Sequence, residues 1–374
     1  MKKLLALVLA ATMVFCMAAC GDKTESSYTA NNTEYVIGCT GPLTGDASSY
    51  GISVQEGATL AVEQINANGG LNGVNFKFDM KDDKAAAADA ATGYDMLYEA
   101  GMQISIGSVT SGSCAAFAAK SVQDNLFFIT PSASAADVIA EDNAFRVCFG
   151  DPDQGVLAAK ELTANFENIG AIYDTSDPFS TGIYEAFKAE MANLGVEYKE
   201  QTFDAENKKD FSTQVEALKD CDVIFVPFYY TEAGLVAKAA VAKGCEAVIF
   251  GCDGLDGIAD QVDETVTNTI KYITPFDVTS EDVTVKSFVD AYFAKYNKLP
   301  DQFAADGYDA VMVIYETMKQ AGINDVTIAP DVLCDKVVEV ITSEDFTYAG
   351  ATGVMTWDES GACTKIPQIV ELGK

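Results

Sequence analysis

Short runs of β-branched and aromatic residues alternate with longer segments of helical periodicity from Glu34 onward. Residues 35–37 predict a strand, and the next segment spaces apolar side chains i, i+4, i+7, i+8 and i+11 on one helical face. These side chains belong to Val54, Ala58, Ala61, Val62 and Ile65. Further strands at 76–78, 104–106 and 127–129 alternate with helices near 85–100 and 113–122. This repeated strand–helix–strand order predicts a parallel sheet with right-handed crossovers.

A second series of the same kind begins after the sequence Asp151-Pro152-Asp153. Strands near 171–173, 196–203, 223–226 and 248–250 alternate with helices near 154–166, 182–194, 211–218 and 232–243. Two more helices follow near 283–297 and 304–321, and the tail is strand-like at 353–357 and 366–370. The pattern predicts an α/β protein with two doubly wound parallel-sheet lobes. Ligands of such sheets bind at the carboxyl ends of the strands, so the residues directly after each strand are candidate site residues.

The first nineteen residues, 1–19, have the layout of an export signal. Lys2 and Lys3 precede an apolar run that is shorter than the ~20 residues a membrane-spanning helix needs. Ala18 and Ala19 then precede Cys20, a junction that resembles the lipobox of bacterial lipoproteins and implies a lipid on the Cys20 thiol. The alternative is an ordinary secretory signal with a chance cysteine. Residues 20–33 are polar and predict a flexible tether.

Composition narrows the possible classes of function. The formal net charge is −32, and no basic cluster or base-stacking motif is present, so we expect no binding to nucleic acid. Eight cysteines follow Cys20, none of them in a CxxC pair, and most lie in apolar runs, so we expect mainly buried free thiols. They are Cys39, Cys114, Cys148, Cys221, Cys245, Cys252, Cys334 and Cys363.

Few residues are available for catalysis. The chain contains no histidine, which removes the commonest general base and the commonest metal ligand. The glycines at 107–112 and 251–257 match neither a P-loop nor a dinucleotide fingerprint, and no GxSxG motif is present. We therefore expect a protein without enzymatic activity, cofactor or metal, although a hydrolase that uses only carboxylates stays open. A bidentate guanidinium clamp could come only from Arg146, the single arginine.

Several short motifs occur together in a fixed order along the chain. They are residues 36–45 followed by Tyr50-Gly51, residues 61–70, Gly107 with Ser111, residues 130–134, residues 251–254 and residues 356–358. With these motifs the chain resembles the type I periplasmic binding proteins, and within them the branched-chain amino acid group of ABC importers. The resemblance covers about residues 34–359. It implies an extracytoplasmic, lipid-anchored monomer that binds a small neutral, aliphatic amino acid for an ABC permease and ATPase.

The resemblance also implies a discontinuous domain structure. Lobe 1 would comprise residues 34–150 and 276–345, and lobe 2 residues 151–275 and 346–374, joined by three crossovers. The disulfide that often staples lobe 1 in this family is absent, because residues 82–85 and Thr110 provide no cysteine. Two alternatives remain open. The same fold serves ligand-sensing receptors, and the ligand could instead be an amide, an aromatic acid or a short peptide.

Polar candidates for the binding site follow the predicted strands. Ser111 opens a helix, where free backbone N–H groups attract an anion. The resemblance implies that Ser111, Ser132 and Ser134 hold the carboxylate and amine of the ligand, and that Asp253 pairs with its ammonium group. Each serine could instead be only a helix N-cap, and Asp253 only a turn residue.

Aromatic candidates come from both predicted lobes. The resemblance implies that Tyr229 contacts the ligand from lobe 2, and that Tyr50, Phe179 and Phe303 form walls of the side-chain pocket. Any of these rings could instead be ordinary core. Four aromatic rings around a small ligand would favour an apolar side chain.

Overall fold

Two open sheets form the framework of the protein in a computed structural model that describes residues 32–372. The predicted signal segment 1–19, the lipidation of Cys20 and nearly all of the tether 20–33 lie outside the described residues. The strands are β1 Tyr35–Gly41, β2 Phe76–Asp82, β3 Ile104–Ser108, β4 Phe128–Thr130, β5 Ala144–Arg146, β6 Ile169–Asp174, β7 Lys199–Phe203, β8 Val223–Val226, β9 Val248–Gly251, β10 Ile270–Thr274, β11 Tyr348–Gly350, β12 Gly353–Met355 and β13 Gln368–Glu371.

Ten α-helices connect or flank these strands within residues 32–372. They are α1 Ser48–Ala67, α2 Ala87–Glu99, α3 Ser111–Asp124, α4 Asp151–Asn165, α5 Pro178–Leu194, α6 Ser212–Leu218, α7 Tyr230–Lys243, α8 Val283–Tyr296, α9 Gln302–Gln320 and α10 Pro330–Ile341. None of these helices has the length and apolar character that crossing a bilayer requires.

Each lobe is built on one sheet. The lobe 1 sheet has the order β2-β1-β3-β4-β5, and all of its strands are parallel. The lobe 2 sheet has the order β13-β10-β9-β8-β6-β7, in which only the last strand of the chain, β13, runs antiparallel to its neighbour. The predicted α/β architecture of two mainly parallel sheets is confirmed, with one antiparallel edge strand added.

Helix α9 follows strands β6 to β10 of lobe 2 in the sequence but belongs to lobe 1, where it packs closely on α1. A Cβ atom on Gly57 of α1 would overlap the carbonyl oxygen of Ala304 in α9, and one on Gly307 would lie 2.7 Å from the carbonyl oxygen of Val54. The two backbones can approach this closely only because both positions lack a side chain. This contact ties a distant part of the sequence to lobe 1.

Replacing Gly57 by Val is expected to lower the free energy of unfolding by about 1–3 kcal/mol, because the new side chain meets backbone that cannot move freely. The measurement is urea denaturation followed by circular dichroism. Gly112→Ala is the matched control, since a Cβ on Gly112 of α3 meets no atom within 4 Å. That change should be neutral or mildly stabilising. Equal losses for the two variants would contradict a close α1–α9 contact.

The third crossover lies later in the chain than predicted. The backbone N–H of Arg146 in β5 donates to the carbonyl oxygen of Gly361 at 3.1 Å, and the indole N–H of Trp357 donates to the carbonyl oxygen of Arg146 at 2.7 Å. Residues 346–363, which we assigned to lobe 2, therefore pack on lobe 1. The chain joins the lobe 2 sheet only at β13, so the crossover lies near Lys365 rather than at residue 346.

A buried charged network fixes this crossover to α9. The ammonium of Lys365 lies 2.8 Å from the carboxylate of Asp306 and 2.7 Å from the hydroxyl of Thr352. The side chains of Lys365 and Asp306 are only 1% and 3% exposed. Asp309 accepts hydrogen bonds from the N–H groups of Ala351 and Thr352 and from the Thr352 hydroxyl. One buried cation thus serves two buried carboxylates.

The eight cysteines between residues 32 and 372 are all buried and unpaired. Burial raises the pKa of the Cys114 thiol to about 12 and that of Cys334 to about 12 as well. These thiols therefore act as small apolar side chains in the core.

Candidate functional site

The carboxyl ends of strands from both sheets face one cleft, which narrows to a small cavity between the lobes. Ten residues line it: Tyr50, Val109, Thr110, Ser111, Ser132, Phe179, Tyr229, Asp253, Gly254 and Phe303. Seven of the eight predicted ligand-binding residues are among them. Ser134 does not line the cavity. The roles of all eight in binding stay predictions.

The Ser111 hydroxyl is free to donate a hydrogen bond to a ligand, and the Ser132 hydroxyl is free to accept one. The Ser111 hydroxyl oxygen accepts hydrogen bonds from the backbone N–H groups of Ser134 and Ala135, each at 3.2 Å. Its own proton is therefore left to donate to a ligand acceptor. The Ser132 hydroxyl donates to the carbonyl oxygen of Val109 at 2.6 Å, which leaves its oxygen free to accept. The pair can hold an acceptor and a donor of the same small molecule.

Thr110, which the sequence reasoning missed, precedes Ser111 at the N-terminus of α3. Its hydroxyl is buried and has no hydrogen-bond partner within residues 32–372. The first N–H groups of a helix also lack intrahelical partners and favour a negative charge. This end of the cavity is therefore suited to a carboxylate. The position directly before a predicted helix start was the available sequence signal.

Asp253 stands at the opposite, lobe 2 side of the cavity, directly after β9, in the one-turn 3-10 helix Asp253–Leu255. Its side chain is buried, with 5% of the residue exposed. Burial raises its pKa to about 7, a hydrogen bond from Gln154 lowers the pKa, and the nearby Asp306 charge raises it. The carboxyl can thus change charge near neutral pH, and a cation in the cavity would favour the ionised form.

Two further residues that the sequence reasoning missed hold Asp253. The side-chain amide of Gln154 in α4 donates to the Asp253 carboxylate at 3.0 Å, and the Asp253 backbone N–H donates to the Gln154 oxygen at 3.0 Å. From lobe 1, the amide of Gln302 donates to the Asp253 carbonyl oxygen at 2.6 Å. Nothing in the sequence pattern marks these glutamines, because their partners are distant in sequence.

Behind the serines lies a second buried acid, Asp151, the first residue of α4. Burial raises its pKa well above the usual range, the Ser134 hydroxyl lowers it, and the Asp253 charge raises it. Ser134 does not line the cavity, and its backbone carbonyl accepts a hydrogen bond from the N–H of Asp151 at 3.0 Å. The guanidinium of Arg146 donates to the carbonyl oxygens of Ser134 and Ala135, at 2.6 and 3.3 Å, and lies outside the cavity lining.

Four aromatic rings form the walls, two from each lobe. Tyr50 and Phe303 of lobe 1 have ring centroids 4.2 Å apart, and Phe179 and Tyr229 of lobe 2 stack at 5.1 Å. Tyr50 meets Tyr229 edge-on at 5.6 Å, so the two pairs touch across the cleft. This surface is apolar, and no lysine or arginine is among the residues that line the cavity.

The hydroxyl of Tyr50 also links the two lobes directly. It donates to the carbonyl oxygen of Gly254 and accepts from the backbone N–H of Tyr230 at 3.2 Å. Because Tyr50 lies in α1 and both partners lie in lobe 2, the structure shows the lobes in a closed arrangement. Within residues 32–372, no group of histidine, cysteine, aspartate and glutamate side chains is arranged to hold a metal ion.

Comparison with known proteins adds three findings. A family model described as periplasmic binding protein matches residues 34–358. A leucine-, isoleucine-, valine-, threonine- and alanine-binding protein of Pseudomonas aeruginosa is 28% identical over 349 residues, covering 90% of this chain and 89% of that protein. The chain is also similar to the crystal structure of a leucine-binding protein of Thermotoga maritima, with a TM-score of 0.80 and 25% sequence identity. The match covers 90% of this chain and 94% of that chain.

A further solved structure has a bound ligand. It is a branched-chain amino acid transporter substrate-binding protein of Streptococcus pneumoniae in complex with isoleucine. The sequence of that protein is 28% identical to this chain, and the TM-score is 0.77. The match covers 91% of this chain and 100% of that chain.

Proposed function

The chain belongs to the periplasmic binding protein family, and from this membership we propose that it captures a zwitterionic amino acid with a small neutral, aliphatic side chain in the cleft between its lobes. The protein acts outside the cytoplasm as the solute-binding component of an ABC importer, and its role is binding rather than catalysis. The observation that carries the choice of ligand is the set of residues that line the cavity. It places hydroxyls and a helix N-terminus on one side, a carboxyl on the other, and aromatic rings between them.

The two charged ends of an amino acid have separate partners in this arrangement. Thr110, Ser111 and the N-terminus of α3 suit the carboxylate, because they offer donors without a buried cation. Asp253 suits the ammonium, since a cation brought into a closed cleft needs a compensating negative charge.

The aromatic walls favour an apolar side chain on the ligand. Micromolar binding needs about −8 kcal/mol. Charge-assisted hydrogen bonds to both ends of the ligand and one buried aliphatic group, worth roughly 1.5–3 kcal/mol, are of the right size to supply it. The relatives named for leucine, isoleucine and valine support the same class.

The deciding experiment is calorimetry with L-leucine, L-isoleucine, L-valine, L-alanine and N-acetyl-L-leucine. We expect binding of at least one free amino acid and a loss of at least tenfold for the N-acetyl derivative, because acetylation removes the ammonium charge. Equal affinity for L-leucine and N-acetyl-L-leucine would show that the ligand is not held as an amino acid. The cavity would then belong to an amide, an aromatic acid or a short peptide.

Ligand-dependent closure of the lobes is expected, because the candidate residues divide between them. Saturating L-leucine should lower the radius of gyration in small-angle X-ray scattering. Tyr50→Phe should weaken L-leucine binding about three- to tenfold, since the closed state would leave the buried Gly254 carbonyl and Tyr230 N–H without their shared partner. An unchanged radius of gyration with and without saturating ligand would indicate a rigid receptor.

We further propose that a lipid on Cys20 anchors the protein, as a monomer, to the outer face of the membrane. The support is the sequence Ala18-Ala19-Cys20 after an apolar run. Labelling of the native cells with an alkyne fatty acid should mark the wild type and the Cys16→Ala control but not Cys20→Ala. Equal labelling of all three would exclude this anchor, and sedimentation velocity of the delipidated protein would reveal any dimer.

A further inference from the structure

Two buried glutamines, one from each lobe, hold different parts of Asp253. Gln154 is 0% exposed and contacts the carboxylate and the backbone N–H of Asp253, both at 3.0 Å. Gln302 is 1% exposed and contacts only the carbonyl oxygen. The Gln302 side chain is itself held by the hydroxyl of Thr274, at the end of β10, which donates to its oxygen at 3.0 Å.

We propose that Gln154 is a positioning residue, which holds the Asp253 carboxylate in place and in its charged form for the ammonium of the ligand. The inference rests on the proposed function of the cleft. Its basis is the donor geometry: a neutral amide N–H points at one carboxylate oxygen, while the amide oxygen of the same side chain fixes the Asp253 backbone. Both contacts are buried, and Gln154 is 0% exposed.

The surroundings of Asp253 make this donor important. The titratable groups that face it belong to Tyr50, Cys148, Asp151, Cys252, Asp256 and Asp306. None of them carries a positive charge. Lys365 is bound to Asp306 and Thr352 instead. Burial and these acids raise the pKa of Asp253, and the Gln154 hydrogen bond is the first contact that lowers it.

The protonation state of Asp253 that binds the ligand determines whether the affinity rises or falls with pH. The ionised carboxyl pairs with the ammonium, so wild-type affinity for L-leucine should rise about tenfold per pH unit up to the carboxyl pKa of about 7 and then level off. Without the Gln154 donor, the pKa of Asp253 and with it the midpoint of the affinity profile should move upward by about one pH unit or more. The reason is that a hydrogen bond stabilises the charged carboxylate more than the neutral carboxyl.

The test is calorimetry with L-leucine from pH 5.5 to 8.5 on the wild type and on Gln154→Met, which keeps the side-chain length and removes the donor. We expect a loss of about tenfold at pH 6 that shrinks to less than about twofold at pH 8.5. Gln154→Glu, which has the same shape and adds a negative charge, should shift the midpoint at least as far. Thermal melting of each variant in the absence of ligand reports whether it is folded.

Gln302→Leu is the matched control, because it removes a hydrogen bond to Asp253 without touching the carboxylate. This variant should keep the midpoint of the affinity profile near pH 7, even if its affinity for L-leucine changes. A loss in Gln154→Met and Gln154→Glu that is the same at every pH would overturn the proposal and leave only a packing role. Wild-type affinity for N-acetyl-L-leucine equal to that for L-leucine would overturn the proposed function itself, and the role of Gln154 with it.

Discussion

Exchanging Asp253 for Asn is expected to weaken L-leucine binding at least tenfold at pH 8, which corresponds to about 1.4 kcal/mol. The substitution keeps the shape of the side chain and a partner for Gln154, but it leaves a buried ammonium without a counter-charge. The carboxyl pKa of about 7 fixes how the loss depends on pH. At pH 5.5 the wild-type carboxyl is already largely protonated, so the difference between the two proteins should shrink there.

Calorimetry at pH 5.5 and pH 8 with L-leucine and N-acetyl-L-leucine measures this effect. Asp260→Asn is the charge-matched control, because Asp260 lies in the same lobe but is exposed. It should leave both affinities unchanged. If Asp253→Asn binds L-leucine as tightly as the wild type at pH 8, Asp253 is not the partner of an ammonium.

Replacing Lys365 by Met is expected to lower the free energy of unfolding by about 3–5 kcal/mol, the usual cost of removing one partner of a buried ion pair. Lys365 is the cation that compensates Asp306 and the neighbouring Asp309, and both acids are buried. Methionine fills a similar volume, so the loss should come from the uncompensated charge rather than from a cavity. Urea denaturation at pH 7.5 gives the difference.

Two comparisons isolate the charge effect. Lys319→Met removes an exposed i,i+3 pair with Glu316 and should cost less than about 1 kcal/mol. Combining Lys365→Met with Asp306→Leu should recover much of the stability, because an apolar pair of similar volume often replaces a buried ion pair without loss. A loss below 1 kcal/mol in the single variant, or no recovery in the double one, would contradict this account.

Local periodicity was sufficient to predict most of the framework. Strand β1 and helix α1 carry apolar side chains on the expected faces, and β8 and β9 are continuous apolar runs, so their type follows from the sequence itself. The rule that ligands bind at strand ends pointed to the segments that contain Ser111, Ser132 and Asp253. The wall residues Tyr50, Phe179 and Phe303 lie in helices and were expected only from the family resemblance.

Elements set by distant contacts were missed. Strand β10 contains Lys271 and half-buried Tyr272, and its neighbours β9 and β13 define it rather than its own apolar pattern. Helix α10 did carry a local signal that we overlooked, with Pro330 at its start and Leu333, Val337 and Ile341 on one face.

Only tertiary contacts distinguish the cavity-lining serine from its near neighbour in the sequence. Ser132 and Ser134 follow the same strand and are indistinguishable in the sequence. Only Ser132 faces the cavity, because the backbone N–H of Ser134 is bound to the Ser111 hydroxyl and its carbonyl to Arg146. Gln154 and Asp253 are 99 residues apart in the sequence, so their hydrogen bonds left no trace in local spacing.

The separation of the paired strands β10 and β13 in the sequence has a consequence for biosynthesis. Helices α8 to α10 complete lobe 1 only after the central strands of lobe 2 have been made, and β13 joins β10 across the intervening residues 275–367. A nascent chain that has reached residue 300 therefore contains neither lobe whole. Pairings this distant in sequence slow folding. The β10–β13 pairing of the lobe 2 sheet can therefore form only after residues 368–371 have been synthesised.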